Sequence, residues 1–195
     1  MSFGIEEAAM DNFFTIEGRH LASALRLPRS LVERRNTIPI LRMVRLTIDA
    51  DGLKIEGTNL DMLATVRRDL IDADGDWSVM VDPFRLSKIA SVAGSAPMTI
   101  QKKDEADTAS VEISFDDVVY RFTNLLDPAD FPDMNDAPRG DMIEEFGNGQ
   151  FVDLLRRVAG IMSTEETRYY LNGVCWHGST HRFIATDGHR LRAIR

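Results

Sequence analysis

Cysteine is nearly missing from this 195-residue chain: Cys175 stands alone, so no internal disulfide can form, which suits a reducing cytoplasm. No run of about 18 apolar residues occurs, which leaves no candidate membrane-spanning helix. The first ten residues hold Glu6 and Glu7 and lack the basic cluster and apolar stretch of a secretory signal. No Gly-rich phosphate loop, nucleophile elbow or paired-carboxylate framework stands out, which points away from an enzyme. An excess of positive charge is lacking too. The formal net charge is −8, and phosphate binding needs Lys and Arg, so the sum alone argues against nucleic acid.

What is present is an ordinary apolar content of 44% with 28% charged residues, enough for a soluble chain that buries a real core. The charge is unevenly spread. Residues 36–80 and 100–147 hold 21 acids against 9 bases, whereas residues 18–35 hold five Arg and the single acid Glu33. An acidic body with basic helices can still meet DNA on one face.

Three segments read as helices. The first, about Gly18 to Leu27, spaces Leu21, Ala24, Leu25 and Pro28 at i, i+3, i+4 and i+7. The second has Asp82 as N-cap, Pro83 at the first helical position, a stripe of Leu86, Ile89, Ala90 and Ala93, and Gly94 to end it. The third follows Asn148 through Phe151, Leu154, Leu155, Val158 and Met162. Away from the apolar stripe each carries cations: Arg19 and Arg26, then Arg85 and Lys88, then Arg157, which has Asp153 four residues before it. Plain solvated surface would explain any one helix, but the arrangement occurs three times.

The rest reads as short strands: Ile38–Ile48, Leu53–Thr58 after a turn at Asp49–Gly52, Asp61–Leu70, Trp77–Val81, Met98–Gln101, Ala109–Phe115 and Val118–Leu125. Asp116–Asp117 reads as a two-residue hairpin turn. Pro128, Pro132 and Pro138, with five Asp between 127 and 141, mark a linker or strap. Self-comparison then shows a repeat. Leu21 and Leu25 recur as Phe151 and Leu155, and Leu41-x-x-Val44 as Leu171-x-x-Val174, both at a shift of 130; Thr58 recurs as Thr186 at 128. A helix–strand–strand unit is expected twice, with the chain ending inside the second copy.

Two stretches carry a family resemblance. Asn36-Thr37-Ile38-Pro39-Ile40-Leu41, Asp51-Gly52-Leu53, Gly57-Thr58-Asn59-Leu60-Asp61 and the later Asp130-Phe131-Pro132 are similar to the first domain of bacterial DNA sliding clamps, the β subunit of DNA polymerase III. Ser163 to Val174, with Arg168-Tyr169-Tyr170-Leu171-Asn172-Gly173, and then Ala185-Thr186-Asp187-Gly188-His189-Arg190-Leu191 resemble the second domain. The resemblance implies an α+β class: a DNA clamp fold of β-α-β-β-β units, with helices on one face of antiparallel sheets. Residues 1–137 would form domain one, with 1–11 a flexible extension, and 138–195 an incomplete first half of domain two.

The same resemblance implies a non-catalytic, cytoplasmic processivity factor without cofactor, holding double-stranded DNA irrespective of sequence. Its other partners would be DNA polymerase III and clamp-loader subunits. Arg35 falls at a DNA-touching loop, with Arg34 beside it as a further candidate, and Arg168, Tyr169 and Tyr170 at a second one, although strand-start packing would also account for the tyrosines. Leu171, Thr186, Gly188, His189, Arg190 and Leu191 match one wall of the clamp's pocket for short apolar peptides. A clamp chain has three domains, and the pocket's other walls and the dimer contact through domain three have no counterpart here. An alternative is therefore a non-encircling module or decoy that titrates clamp partners. Half a domain leaves a sheet edge and an apolar helix face uncovered, so disorder or self-association is expected of it.

Metal readings fare poorly. Cys175-x-His177-x3-His181, with His189 as a fourth ligand, matches no standard finger spacing. Asp72-x-Asp74-Gly75-Asp76 places Gly at the fourth position of a calcium loop instead of the sixth. Cys175 is expected inside a core strand, where thiols are inert.

Overall fold

The fold follows from how the strand edges and the two long helices share one apolar interior. The computed structural model describes residues 12–105, 108–123, 125–132 and 145–195, so the N-terminal extension and most of the proline strap expected from the sequence lie outside the described residues. The chain divides into two compact units, Met1–Ala137 and Pro138–Arg195.

In the first unit β1 (Phe13–Glu17) leads directly into α1 (Gly18–Leu31). A 3-10 turn over Pro39–Arg42 precedes β2 (Val44–Asp49), β3 (Gly52–Thr58), β4 (Leu63–Arg68), β5 (Asp72–Asp74) and β6 (Trp77–Val81). Then come α2 (Pro83–Ala93), β7 (Pro97–Glu105), β8 (Thr108–Phe115) and β9 (Val118–Phe122). Two antiparallel sheets result, ordered β4-β3-β2-β6 and β5-β1-β7-β8-β9. α1 packs on β3, β4 and α2, while α2 packs on β7. Leu21, Leu25, Leu46, Leu53, Ile55, Leu86, Met98 and Ile100 are fully buried in a single core. Each such side chain stabilises by roughly 1.5–3 kcal/mol.

Several boundaries depart from the sequence reading. α1 does not stop at Leu27 but runs to Leu31 with Pro28 inside it and buried. At this point α1 comes close to β3, and Gly57 permits the approach: a Cβ there would lie 2.5 Å from the Pro28 carbonyl oxygen. Near the helix end, Ser30 Oγ donates to the Leu27 carbonyl at 2.7 Å. The long apolar run from Ile38 is not one strand. Pro39 opens a 3-10 turn, leaving Ile38 exposed, and the ladder begins only at Val44. β1 and β5 were not anticipated. They pair with each other, and β5 includes Asp72 and Asp74 of the calcium-like motif, with the Asp72 carboxylate accepting from Ala73 N–H.

Other local signals held. Asp82 Oδ1 accepts from the N–H groups of Phe84 and Arg85, and Gly94 ends α2 at φ 60°. Phe115 pairs with Val118 across the Asp116–Asp117 turn, where Asp116 takes φ 48°. The strap residue Phe131 is buried with the Arg45 guanidinium 4.5 Å from its ring centre. Arg45 in turn pairs at 2.8 Å with Glu56, a carboxylate only 3% exposed and also 3.3 Å from Lys54. Phe131 is thereby held over β2, whose Arg45 is tied to Glu56 of β3.

The second unit contains α3 (Gln150–Ala159), a 3-10 segment Glu166–Leu171 and an antiparallel sheet of β10 (Cys175–His177), β11 (Arg182–Thr186) and β12 (Leu191–Ile194). Its core is small: Leu154, Val158, Phe183 and Ala185 are buried. Phe146, Phe151, Trp176 and Phe183 form an aromatic cluster with centroids 4.8–5.7 Å apart. The described residues of this region are folded into these elements, against the disorder that was one of the two outcomes expected. Cys175 is exposed and not in the core, because β10 turns that face outward. Among the described residues, no three His, Cys, Asp or Glu side chains are grouped to hold a metal ion.

Candidate nucleic-acid and peptide interfaces

The repeat anticipated from sequence is present atom for atom in one turn. At the end of β3, Thr58 Oγ1 donates to Met62 O at 2.8 Å and accepts from Leu60 N–H at 2.9 Å. At the end of β11, Thr186 Oγ1 donates to Arg190 O at 2.6 Å and accepts from Gly188 N–H at 3.0 Å. The following Asx residues also match. Asn59 Oδ1 accepts from the N–H groups of Asp61 and Met62, and Asp187 Oδ1 from those of His189 and Arg190. The third residue is left-handed in both copies, Leu60 at φ 76° and Gly188 at φ 90°. Each turn joins two antiparallel strands, so helix, 3-10 turn and three-stranded meander recur in order.

In the second unit this turn forms one side of a small surface. Gly188 lies against the loop Ser163–Leu171: a Cβ on it would sit 2.8 Å from Arg168 Nη1 and 4.0 Å from Leu171 Cδ1. Gly therefore meets two demands, positive φ and close approach. Leu171, Thr186, Gly188, His189 and Arg190 are brought together by the turn and this contact, while Leu191 projects into solvent at 68% exposure. The loop is closed by Leu171 O accepting from Ser163 N–H and by Asn172 Nδ2 donating to Glu165 O. Two backbone N–H donors and the Arg190 guanidinium hold the Asp187 carboxyl far below the usual range. Tyr169 and Tyr170 do not pack under a strand; they stand 77% and 70% exposed on the 3-10 segment.

The expected DNA-facing cations are all on the surface, but they are not equivalent. Arg19 Nε lies 2.6 Å from Glu17, and Arg168 Nε 2.9 Å from Glu165, so both charges are internally offset. Asp153 pairs with Arg156 at 3.6 Å, not with the Arg157 expected from the i, i+4 spacing. Among the described residues, Arg26, Arg35, Lys88 and Arg157 make no ion pair, and Arg34 stacks on Phe84 instead. Arg19, Ser23, Arg26 and Ser30 form one exposed stripe on α1. Arg26 lines a groove of about 660 Å³ between α1 and β4 with Arg67 and Arg68, which sequence reasoning missed because both lie in a strand. The Asp49 carboxylate takes Arg67 bidentately at 3.0 and 3.2 Å, which lowers the Asp49 pKa and raises that of Arg67.

Antiparallel sheets carrying helices on one face, in a unit that recurs along the chain, define a DNA clamp fold. The chain belongs to the DNA polymerase III β subunit family: residues 12–135 match the model of that subunit's N-terminal domain. It is 36% identical over 191 residues to the β sliding clamp of Caulobacter vibrioides and 32% over 182 residues to that of Pseudomonas aeruginosa. Each match takes in 91% of this chain and 48% of the relative. The crystal structure of the C. crescentus β sliding clamp superposes with a TM-score of 0.75 at 30% identity, over 93% of this chain and 49% of the other. A griselimycin-bound P. aeruginosa clamp gives 0.77 at 26%, with the same coverage. The chain thus spans about half the length of the relatives it matches.

Proposed function

We propose that this chain serves as a DNA processivity element of the sliding-clamp kind, non-catalytic, in a bacterial cytoplasm. In this reading residues 1–137 act as clamp domain one and 138–195 as the first half of domain two. Double-stranded DNA is held without regard to sequence through Arg19, Arg26, Arg34, Arg35, Arg85, Lys88, Arg157, Arg168, Tyr169 and Tyr170. One observation carries the reading: on a chain of net charge −8, Arg26, Arg34, Arg35, Lys88 and Arg157 stand exposed with no carboxylate partner among the described residues. Such charges attract phosphate without reading bases. Leu171, Thr186, Gly188, His189, Arg190 and Leu191 supply one wall for apolar peptides of polymerase III and clamp-loader subunits. Self-association belongs to the same reading.

Fluorescence anisotropy on duplexes of unrelated sequence, titrated with salt, tests this directly. Equal affinities are expected, and Arg26→Gln and Arg157→Gln should each lower the log–log salt slope by about 1. Arg19→Gln, whose charge is already offset by Glu17, should change it less. Absence of DNA affinity at low salt would remove the reading. Because Leu171 and the Thr186–Arg190 turn lie near each other within the second unit alone, a second reading has its own support, that of a decoy for clamp partners. Peptide binding without DNA binding would select it, and light scattering would report whether a closed oligomer exists.

A further inference from the structure

One cationic hollow is not explained by an exposed helix stripe. It lies where the loop between α1 and β2 meets the start of α2, a concavity of about 240 Å³ lined by Arg34, Arg42, Asp82, Phe84, Arg85 and Lys88. Four cations face one carboxylate there, and that carboxylate is already engaged. Asp82 Oδ1 caps α2, and its Oδ2 lies 3.6 Å from Arg85 Nε. Arg34, Arg42 and Lys88 have no acidic partner among the described residues. Like charges gathered in a hollow repel unless an anion enters.

The hollow is also organised in advance. The Arg34 guanidinium carbon sits 4.3 Å from the centre of the Phe84 ring, and that of Arg29 lies 5.9 Å from it. Arg29 is itself fixed by a 2.8 Å bond from Nη1 to Ser87 Oγ. Side chains ordered before binding lose less freedom when a ligand arrives. Guanidinium forks match the oxygens of a phosphoryl group.

We propose that this hollow is a phosphoryl-binding site, with Arg34, Arg42, Arg85 and Lys88 as its ligands. Arg42 is the residue on which the proposal turns, since it is exposed, unpaired and outside the DNA-facing set already named. The inference rests on the DNA reading only for the source of the phosphoryl group, a backbone phosphate. A free phosphorylated ligand would bring the same chemistry.

The test is calorimetric titration of the full chain with inorganic pyrophosphate at low ionic strength, in wild type, Arg42→Gln, Arg34→Gln and Arg157→Gln. Saturable binding is expected, weakened about tenfold or more by Arg42→Gln and by Arg34→Gln and unchanged by Arg157→Gln. No saturable binding, or binding that Arg42→Gln leaves intact, overturns the site. Both arginines are exposed, so the variants should fold, and Trp77 fluorescence checks that they do. A DNA titration then distinguishes the sources. If DNA fills the hollow, Arg42→Gln lowers the salt slope by about 1. An unchanged slope, with pyrophosphate binding lost, assigns the hollow to a free phosphorylated ligand. A chain that binds pyrophosphate but no DNA keeps the site while losing the DNA reading.

Discussion

The duplicated turn allows one substitution to be made twice in the same molecule. Thr58→Val and Thr186→Val each keep shape and remove a hydroxyl that donates one hydrogen bond and accepts another. Each lost bond costs a net ~0.5–1.5 kcal/mol, and more where the abandoned partner is cut off from water. Thr58 is 1% exposed and the bond it accepts from Leu60 N–H is part-buried, so water replaces that acceptor less readily; Met62 O keeps a second donor, Asn59 N–H at 3.3 Å. Thr186 is only half-buried, so water can replace its hydroxyl. The expected costs are about 2 kcal/mol at Thr58 and about 1 kcal/mol or less at Thr186. The chain's two tryptophans, Trp77 and Trp176, fall one in each unit, which makes the assay specific. In a Trp176→Phe background, urea unfolding followed by Trp77 should show the Thr58→Val midpoint lowered by about 1 M, for a slope near 2 kcal/mol/M. In a Trp77→Phe background, Thr186→Val should move the Trp176 transition by about half as much or less. Equal shifts, or a neutral Thr58→Val, would refute the idea that buried hydrogen bonds hold the turn.

Leu60→Gly should stabilise the first unit by about 0.5–1 kcal/mol, because a left-handed Leu costs about 1–2 kcal/mol and this one is 51% exposed. A lowered thermal midpoint would show that its side chain packs more than its exposure indicates. Gly57→Ala should destabilise by at least about 2 kcal/mol, since the new methyl meets the Pro28 backbone on three atoms at 2.5–3.1 Å; an unchanged urea midpoint would mean that α1 shifts freely on β3. The depressed Asp187 pKa sets a pH window. Its contribution to the turn is complete above the ordinary aspartate value of about 3.9 and declines as pH falls below it toward the lower folded value. Amide shifts of His189 and Arg190 should therefore hold through pH 5 and change only in stronger acid. Asp187→Asn should remove that dependence.

How much of this was legible depended on how far apart the interacting residues lie. α2 could be read completely because its cap, proline and terminal glycine act within one or two turns of the chain. The Thr186–Arg190 turn was legible as a motif for the same reason. β5 was missed because its partner supplies only backbone bonds and Asp72, Ala73 and Asp74 offer no apolar alternation. The Ile38–Ile48 run misled because unbroken apolar residues do not reveal where a 3-10 turn gives way to a strand. The phosphoryl hollow was invisible for a third reason. It joins Arg34 and Arg42 to residues 82–88, and Arg42 lay inside the segment misread as strand.

The two copies also show which part of the unit is constrained. Their cores differ: Leu21 and Leu25 are wholly buried in α1, while the matching Phe151 is 44% exposed and Leu155 only partly covered. An aromatic cluster replaces the aliphatic packing in the second unit. The turn, by contrast, repeats down to the Oγ1 and Oδ1 acceptors. Packing can be rebuilt from many side chains of suitable volume. A reversal whose third residue must be left-handed, with its N–H groups met by a hydroxyl and an Asx oxygen, has few chemical solutions. Geometry of that kind therefore outlasts the core behind it, and Thr58 and Thr186 mark the repeat beside the looser helix match of Leu21 and Leu25 to Phe151 and Leu155. The second turn has Gly188 in place of Leu60, at a point where a Cβ would sit 2.8 Å from Arg168 Nη1.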